Sequence, residues 1–244
     1  GVPRAEVGGF YRGGATLTRR LTALPTRQWD TGRVSALPAP EEKALAVQRM
    51  FDRLAPGYDR MNRLMTAQMD VGWRESLMER LRVSDGDRLL DLACGTGDFA
   101  ALARERTRDV VGLDFSGEML RAARGRDLFP AELVQGDALR LPLADGSMSV
   151  AVSGFALRNF VAIPPVLAEL ARVLEPGGRL GLLEIDRPTN PAVRVAHALY
   201  FERLVPRLGG LVSGDRRAYQ YLPQSAAYLP EKRELAAMLR AAGF

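Results

Sequence analysis

Leu89-Leu90-Asp91-Leu92-Ala93-Cys94-Gly95-Thr96-Gly97-Asp98 runs from an apolar strand into a glycine turn and on into the start of a helix. An α/β fold builds a nucleotide site at such a junction. Gly95 and Gly97 let the backbone turn tightly and approach a ligand without a Cβ in the way, and the following helix N-terminus offers free N–H donors. A G-x-G spacing alone is weak. About twenty residues on, however, Val110-Val111-Gly112-Leu113-Asp114 supplies a second strand that ends in a carboxylate, placed to accept hydrogen bonds from a ribose diol.

The third turn position of a dinucleotide site would be glycine, but here it carries Asp98 and Phe99, which leave little room or charge for a pyrophosphate. The ligand then has a ribose but no phosphates. S-adenosylmethionine fits, because acidic residues such as Asp91 and Asp98 can face its ammonium and sulfonium. A third strand, Glu132-Leu133-Val134-Gln135, precedes Gly136-Asp137-Ala138 and sets another carboxylate where an adenine amino group can donate. The competing reading is that each acid caps a helix, since Asp is a favoured N-cap. It accounts for single acids more easily than for all of them beside a glycine turn. Cys94 reads as a small buried filler, for it is the only cysteine and the only histidine, His197, is far along the chain.

Bulk composition narrows the class. At 244 residues and 47% hydrophobic content, the chain suits one α/β domain plus a tail. The longest uncharged stretches, 146–157 and 218–230, fall well short of the roughly 20 apolar residues that cross a bilayer. One cysteine argues against a disulfide scaffold and fits a reducing cytoplasm, and it excludes a metal site of the Cys/His type. The net charge of +5 invites a nucleic-acid reading. Yet residues 1–33 hold six arginines against Glu6 and Asp30 and so carry +4 of it, which leaves a nearly neutral domain behind a basic tail suited to acidic lipid headgroups.

Two regions are therefore expected: a flexible basic extension over 1–40, which also resembles a transit peptide, and a catalytic domain over 41–244. A helix is predicted from Glu41 with Ala46, Met50, Phe51 and Leu54 on one face. A second follows Pro56-Gly57 with Met61, Leu64, Met65, Met69 and Trp73 at helical spacing. Together they form an N-terminal helical lid over the strand ends, its methionines either packing or lining an apolar pocket. Strands are predicted at 88–93, 110–114, 132–135, 148–154 and 179–185, alternating with helices such as 100–106, 118–126 and 165–174. This is a parallel sheet with right-handed crossovers and helices on both faces. Pro176-Gly177-Gly178 is a turn into the fifth strand, followed by an inserted helical region over 192–205, a Gly209-Gly210 loop and a last helix over 231–242.

From about Val47 to Phe244 these residues resemble the ubiquinone/menaquinone biosynthesis C-methyltransferases, within the class I S-adenosylmethionine-dependent methyltransferases of Rossmann-like fold. The resemblance rests on Met50-Phe51-Asp52, on Ala55-Pro56-Gly57-Tyr58-Asp59 with Met61-Asn62, and on the glycine turn. It continues through Phe155-Ala156-Leu157-Arg158-Asn159, Arg172 to Gly178, Gly209-Gly210, Ser213-Gly214-Asp215 and Tyr219 to Ser225. The glycine turn is common to many methyltransferases; the Tyr-Asp-x-Met-Asn and Leu-Arg-Asn blocks are far more specific. The resemblance puts Thr96, Asp114, Asp137 and Ala138 on cofactor positions, and a further one, often serine, on Gly154. With the residues of the turn, the expected cofactor set is Asp91, Gly95, Thr96, Gly97, Asp114, Asp137, Ala138 and Gly154. Departures are Ala156 for glycine, Glu175 for lysine, Asp186 for serine, and Asp70 where the ubiquinone branch often has histidine, which leans the reading toward menaquinone. The chain stops at Ala241-Ala242-Gly243-Phe244, where the family enters its last two strands, so the sheet is expected to lack its final hairpin and to expose the edge of the fifth strand.

The implied reaction moves a methyl group from S-adenosylmethionine to a ring carbon of a reduced polyprenyl quinone, demethylmenaquinol. Alignment and a proton acceptor are its main needs. Arg158 and Asn159 follow the fourth strand, where the methyl should emerge. Arg158 is expected to stabilise a phenolate, with water or a nearby side chain taking the proton, since arginine stays protonated. Tyr58 and Asn62 on the lid are further candidates, packing and capping being their competing roles. The polyprenyl tail implies a cytoplasmic protein peripherally attached to the membrane through the lid or the segment 192–211. Expected partners are thus a lipophilic quinol and a membrane surface but no nucleic acid, with a homodimer left open. Other readings are methylation of another lipid-like small molecule, a noncatalytic cofactor-binding fragment and, resting only on the basic tail, RNA methylation.

Overall fold

β1 (Arg88–Leu92) is buried along four of its five residues, β2 (Asp109–Asp114) along four of six and β4 (Met148–Gly154) along six of seven. Strands covered on both faces read as near-continuous apolar runs, and that is why these segments were legible as a parallel sheet. The structure is a computed structural model and describes residues 40–66, 68–126, 132–185, 225 and 228–244. With β3 (Glu132–Gln135) and β5 (Leu174–Leu183), the strands lie in the order β3-β2-β1-β4-β5, all parallel. The chain lays β2 and β3 to one side of β1, then returns to place β4 and β5 on the other. This reversal opens a crevice at the carboxyl ends of β1 and β4, where open α/β sheets bind ligands.

Side-chain alternation along the strands supplies two cores. Leu89, Val110, Val150 and Val152 pack on one face with Leu77, Met78 and Leu81 of α3 (Met69–Leu81) and Phe99, Ala100 and Ala103 of α4 (Asp98–Arg104). On the other face Leu90, Leu92, Val111, Leu113 and Ala151 meet Val166, Leu167 and Leu170 of α6 (Ile163–Val173) and Leu239 of α7 (Lys232–Ala242). Truncating one of these leucines to alanine costs about 2–5 kcal/mol. Between the sheet's second and third strands, α5 (Gly117–Arg124) starts at Ser116, whose Oγ accepts from the Met119 amide at 3.1 Å.

The fifth strand begins earlier than expected. α6 passes directly into β5 at Leu174, which pairs with Met148; pairing then skips to Arg179 opposite Val150. Pro176-Gly177-Gly178 is therefore an irregularity inside the strand, with Gly177 at φ +82°, rather than a turn ahead of it. Among the described residues β5 has one neighbour, β4, and five strands make up the sheet.

α1 (Pro40–Leu54), a 3-10 turn (Ala55–Gly57), α2 (Tyr58–Thr66) and α3 precede the sheet. The first is tied to the strand ends: Gln48 Nε2 donates to the Phe115 carbonyl at 3.1 Å, and the Ser116 hydroxyl donates to Asp52 at 2.5 Å. Met50 and Leu54 of the predicted face are buried, but Ala46 is exposed, because the face of α1 that meets the sheet runs through Ala44, Val47 and Phe51. Met61 is buried and Trp73 half-buried, edge-on to Phe155. Met69, at the start of α3, is exposed: the chain breaks after α2, and Gln68 at φ 62° reorients the next helix. Among the described residues no helix is long and apolar enough to cross a membrane. The region expected to be helical over 192–205, the Gly209-Gly210 loop and the extension over 1–39 lie outside the described residues.

Candidate active site

A cleft opens at the reversal point of the sheet. Its floor comes from the ends of β1, β2 and β4, its roof from α1 and Tyr58 at the start of α2. Of the expected cofactor residues it brings together Gly95, Asp114, Asp137, Ala138 and Gly154, and of the expected catalytic residues Tyr58 and Asn159.

The glycine turn is held to the neighbouring strand. The Cys94 amide donates to the Leu113 carbonyl at 3.0 Å, and the Gly95 amide donates to Asp114 Oδ2 at 2.7 Å. Gly95 sits at φ +57° beside the Tyr58 ring, whose Cε1 would be in ordinary contact with a Cβ there at 4.0 Å, so a side chain would be strained by the backbone rather than crowded. Asp114 also accepts from the Ser116 amide at 2.8 Å, and burial pushes its carboxyl up from the ordinary range. Each carboxylate oxygen accepts two hydrogen bonds, so acceptor capacity remains for a diol. At the next strand end Asp137 is exposed at the rim, with one oxygen accepting from the Leu139 amide at 2.9 Å. A floor of small residues, two carboxylates on adjacent strand ends and an apolar wall of Leu113, Phe115 and Met119 fit the adenosine part of S-adenosylmethionine. Ala93 and Phe155, the first residues past β1 and β4, both take positive φ (54° and 58°). Non-glycine residues there cost about 1–3 kcal/mol each, a strain typical of functional sites.

Six expected residues, Asp91, Thr96, Gly97, Asp98, Asn62 and Arg158, are not among those that line the cleft. Asp91 is 1% exposed and accepts from the Ala100 amide at 3.0 Å, so it caps α4 from below; burial lifts its carboxyl to about 8. Thr96 is buried and donates to Asp59 of α2 at 2.5 Å, while Gly97, at φ 85°, is the N-cap of α4. Asp98 does not face the cleft as a bare anion, because Arg126 at 2.8 Å and Arg74 at 3.4 Å already pair with it. These contacts lock the roof to the turn: Arg126 also lies 3.6 Å from Asp59 and donates to the Thr96 carbonyl. Asn62 takes the packing role, since it donates to Asp70 at 3.2 Å in a buried cluster with Thr66 and Arg74.

Arg158 is 7% exposed, on the 3-10 turn Leu157–Asn159, and pairs with Glu184 at 3.2 Å. Burial pushes the Tyr58 hydroxyl up to about 12, against the opposing positive charges of Arg74 and then Arg158. Tyr58 is therefore a neutral donor at working pH. The sequence gives no pattern that points to Glu184, which sheet register brings against Arg158, nor to Ala44, Val47 and Gln48, which helix docking brings to the cleft. Asp59 was visible only as a member of the Tyr-Asp-x-Met-Asn block.

The ubiE/COQ5 methyltransferase family matches residues 39–244. A demethylmenaquinone methyltransferase of Deinococcus radiodurans is 43% identical over 209 residues, covering 84% of this chain and 87% of that protein. The Thermus thermophilus protein of the same name is 42% identical over 201 residues, covering 80% and 91%. A ubiquinone/menaquinone biosynthesis C-methyltransferase UbiE of Dinoroseobacter shibae is 41% identical and covers 84% of each chain. In fold, the chain is similar to a SAM-dependent methyltransferase of Thermotoga maritima, with TM-score 0.56 and 22% identity over 81% of each chain.

Proposed function

The chain belongs to the ubiE/COQ5 methyltransferase family and is an S-adenosylmethionine-dependent C-methyltransferase of quinone biosynthesis; from that premise we propose that its acceptor is demethylmenaquinol. The observation that carries this reading is one cleft that joins the carboxylate-ended strands Asp114 and Asp137 to Asn159 and Tyr58, under an apolar roof of Val47 and Phe51. When bound, S-adenosylmethionine supplies an electrophilic methyl group. Gly95, Asp114, Asp137, Ala138 and Gly154 would hold it, while Asp91, Thr96 and Gly97 shape the turn from behind.

The chain's own residues act on the acceptor. A quinol carbon becomes strongly nucleophilic as its hydroxyl gives up a proton, and Arg158 stabilises the oxygen's developing charge without itself deprotonating. Asn159 Oδ1, a buried acceptor with no partner among the described residues, can receive a ring hydroxyl. Tyr58 stays protonated and can donate to a ring oxygen.

Polyprenyl quinols reside in membranes, so the enzyme must meet a lipid surface. Exposed Leu45 on α1 and Met69 and Val71 on α3 support peripheral contact through the lid helices. The deciding experiment incubates the protein with radiolabelled S-adenosylmethionine and demethylmenaquinol in detergent. Label in the extracted quinone, absent with Arg158→Ala, is expected; cofactor binding without transfer would overturn the acceptor assignment.

A further inference from the structure

Three buried polar atoms have no hydrogen-bond partner among the described residues: Arg158 Nε, Asn159 Oδ1 and Glu184 Oε2. All three lie past the carboxyl ends of β4 and β5. Native proteins rarely leave such atoms unpaired; Asn159 lines the cleft, and Arg158 and Glu184 stand behind it, with the Arg158 charge acting on Tyr58 of the lining. Two belong to the expected catalytic pair. The third belongs to a residue given no role so far.

Glu184 directly follows β5, and its Oε1 meets Arg158 Nη1 at 3.2 Å, with both side chains about one-tenth exposed. The two backbones are joined by the Phe155 amide, which donates to the Leu183 carbonyl at 2.7 Å. Lys43 of the roof donates to the Arg158 and Phe160 carbonyls at 3.3 and 2.7 Å, fixing the turn that carries Arg158. With its backbone pinned and one guanidinium corner held by Glu184, the arginine keeps its Nε–H without a partner among the described residues. A pair built only for stability would be expected to use up its hydrogen-bonding capacity, as buried ion pairs must to repay desolvation. This one does not.

We propose that Glu184 is a positioning residue for methyl transfer: through its ion pair it holds the Arg158 guanidinium in one orientation, with its unpartnered Nε–H toward the ring oxygen of the acceptor. The inference rests on the quinol reading. It adds that the arginine works only when Glu184 anchors it. Burial raises the Glu184 carboxyl, and Arg158 opposes that rise.

The test uses the full chain labelled with 15N-arginine and saturated with S-adenosylhomocysteine. The Arg158 Nε–Hε signal is assigned by its loss in R158K, and menadiol, a reduced naphthoquinone without a tail, is the probe. Wild type should show a resolved signal that moves with menadiol, while in E184Q the signal should collapse into the averaged arginine region and stay there. In parallel, kcat for demethylmenaquinol should fall about ten- to a hundredfold in E184Q, the size expected of a misplaced catalytic group. The KM for S-adenosylmethionine should hold within about twofold. E184D should recover part of the rate. An E184Q protein that keeps its kcat, or loses it while Arg158 still gives the wild-type signal, overturns the role. If wild type transfers no methyl to demethylmenaquinol, the acceptor reading falls by itself, and the state of the Arg158 signal in E184Q still decides whether Glu184 anchors it.

Discussion

The two ends of the sheet each bury a carboxylate beside an arginine, and they use the pair differently. At the amino ends of the strands, Asp87 accepts from the Ser84 amide and hydroxyl, the Ser149 hydroxyl and Arg179, while Thr107 donates to its carbonyl. Burial pushes its carboxyl up, yet these donors together win and hold it below the ordinary value. At the carboxyl ends Glu184 has one side-chain partner, Arg158, and burial wins, raising its carboxyl. A closed network stabilises; an open one with unpaired atoms is available to a ligand. The same sheet thus carries a closed polar cluster at one end and, at the other, the end that faces the cleft, an ion pair with unpaired atoms.

Arg158→Ala should break the contrast most visibly. Removing one charge-stabilising donor costs about a hundred- to a thousandfold in kcat, and methyl-transfer assays should show this with cofactor affinity, by calorimetry, little changed. A loss below about tenfold would place Arg158 outside the reacting region. The opposite end should respond in stability alone. Asp87→Ala leaves Arg179 without its carboxylate and should cost about 3 kcal/mol in urea unfolding, with the kcat of the folded enzyme retained.

Acidity separates the carboxylates further. Asp87, held low when folded, contributes stability that is present above its unfolded value near 4 and is lost as pH falls through its folded value. Asp91 works in reverse. Its carboxyl, raised to about 8, makes the folded state bind a proton more tightly, so stability declines as pH rises from about 4 toward 8. Asp91→Asn should therefore flatten that decline in thermal melts across this window; an unchanged slope would assign the decline to other groups. The smallest effect is expected at Gly154. A Cβ there would lie 2.7 Å from Phe99 Cε2, so Gly154→Ser should cost about 1–3 kcal/mol unless the ring moves, measurable as a lowered Tm.

Much of the fold could be read in advance because parallel strands leave long apolar runs and because a glycine turn has a physical reason to follow one of them. Legibility faded where two backbone rules compete. Pro176-Gly177-Gly178 reads as a turn, yet the strand pairs on either side of it, since β4 supplies a partner before and after the irregularity. Within the site, Asp114 and Asp137 were readable from their place at strand ends. Asp91 belongs to the same pattern but points beneath α4, and Asp98 is already claimed by two arginines, which no local spacing could show.

By itself the sequence determined the strand sequence, the glycine turn and the blocks that carry the family resemblance, because these follow from local hydrophobic period, glycine geometry and residue identity. Only the tertiary structure decided which carboxylates reach the cleft, that α1 roofs it, and that Glu184 stands against Arg158 across β4 and β5. Those facts depend on strand register and helix docking, in which residues distant along the chain meet through packing that no local pattern encodes.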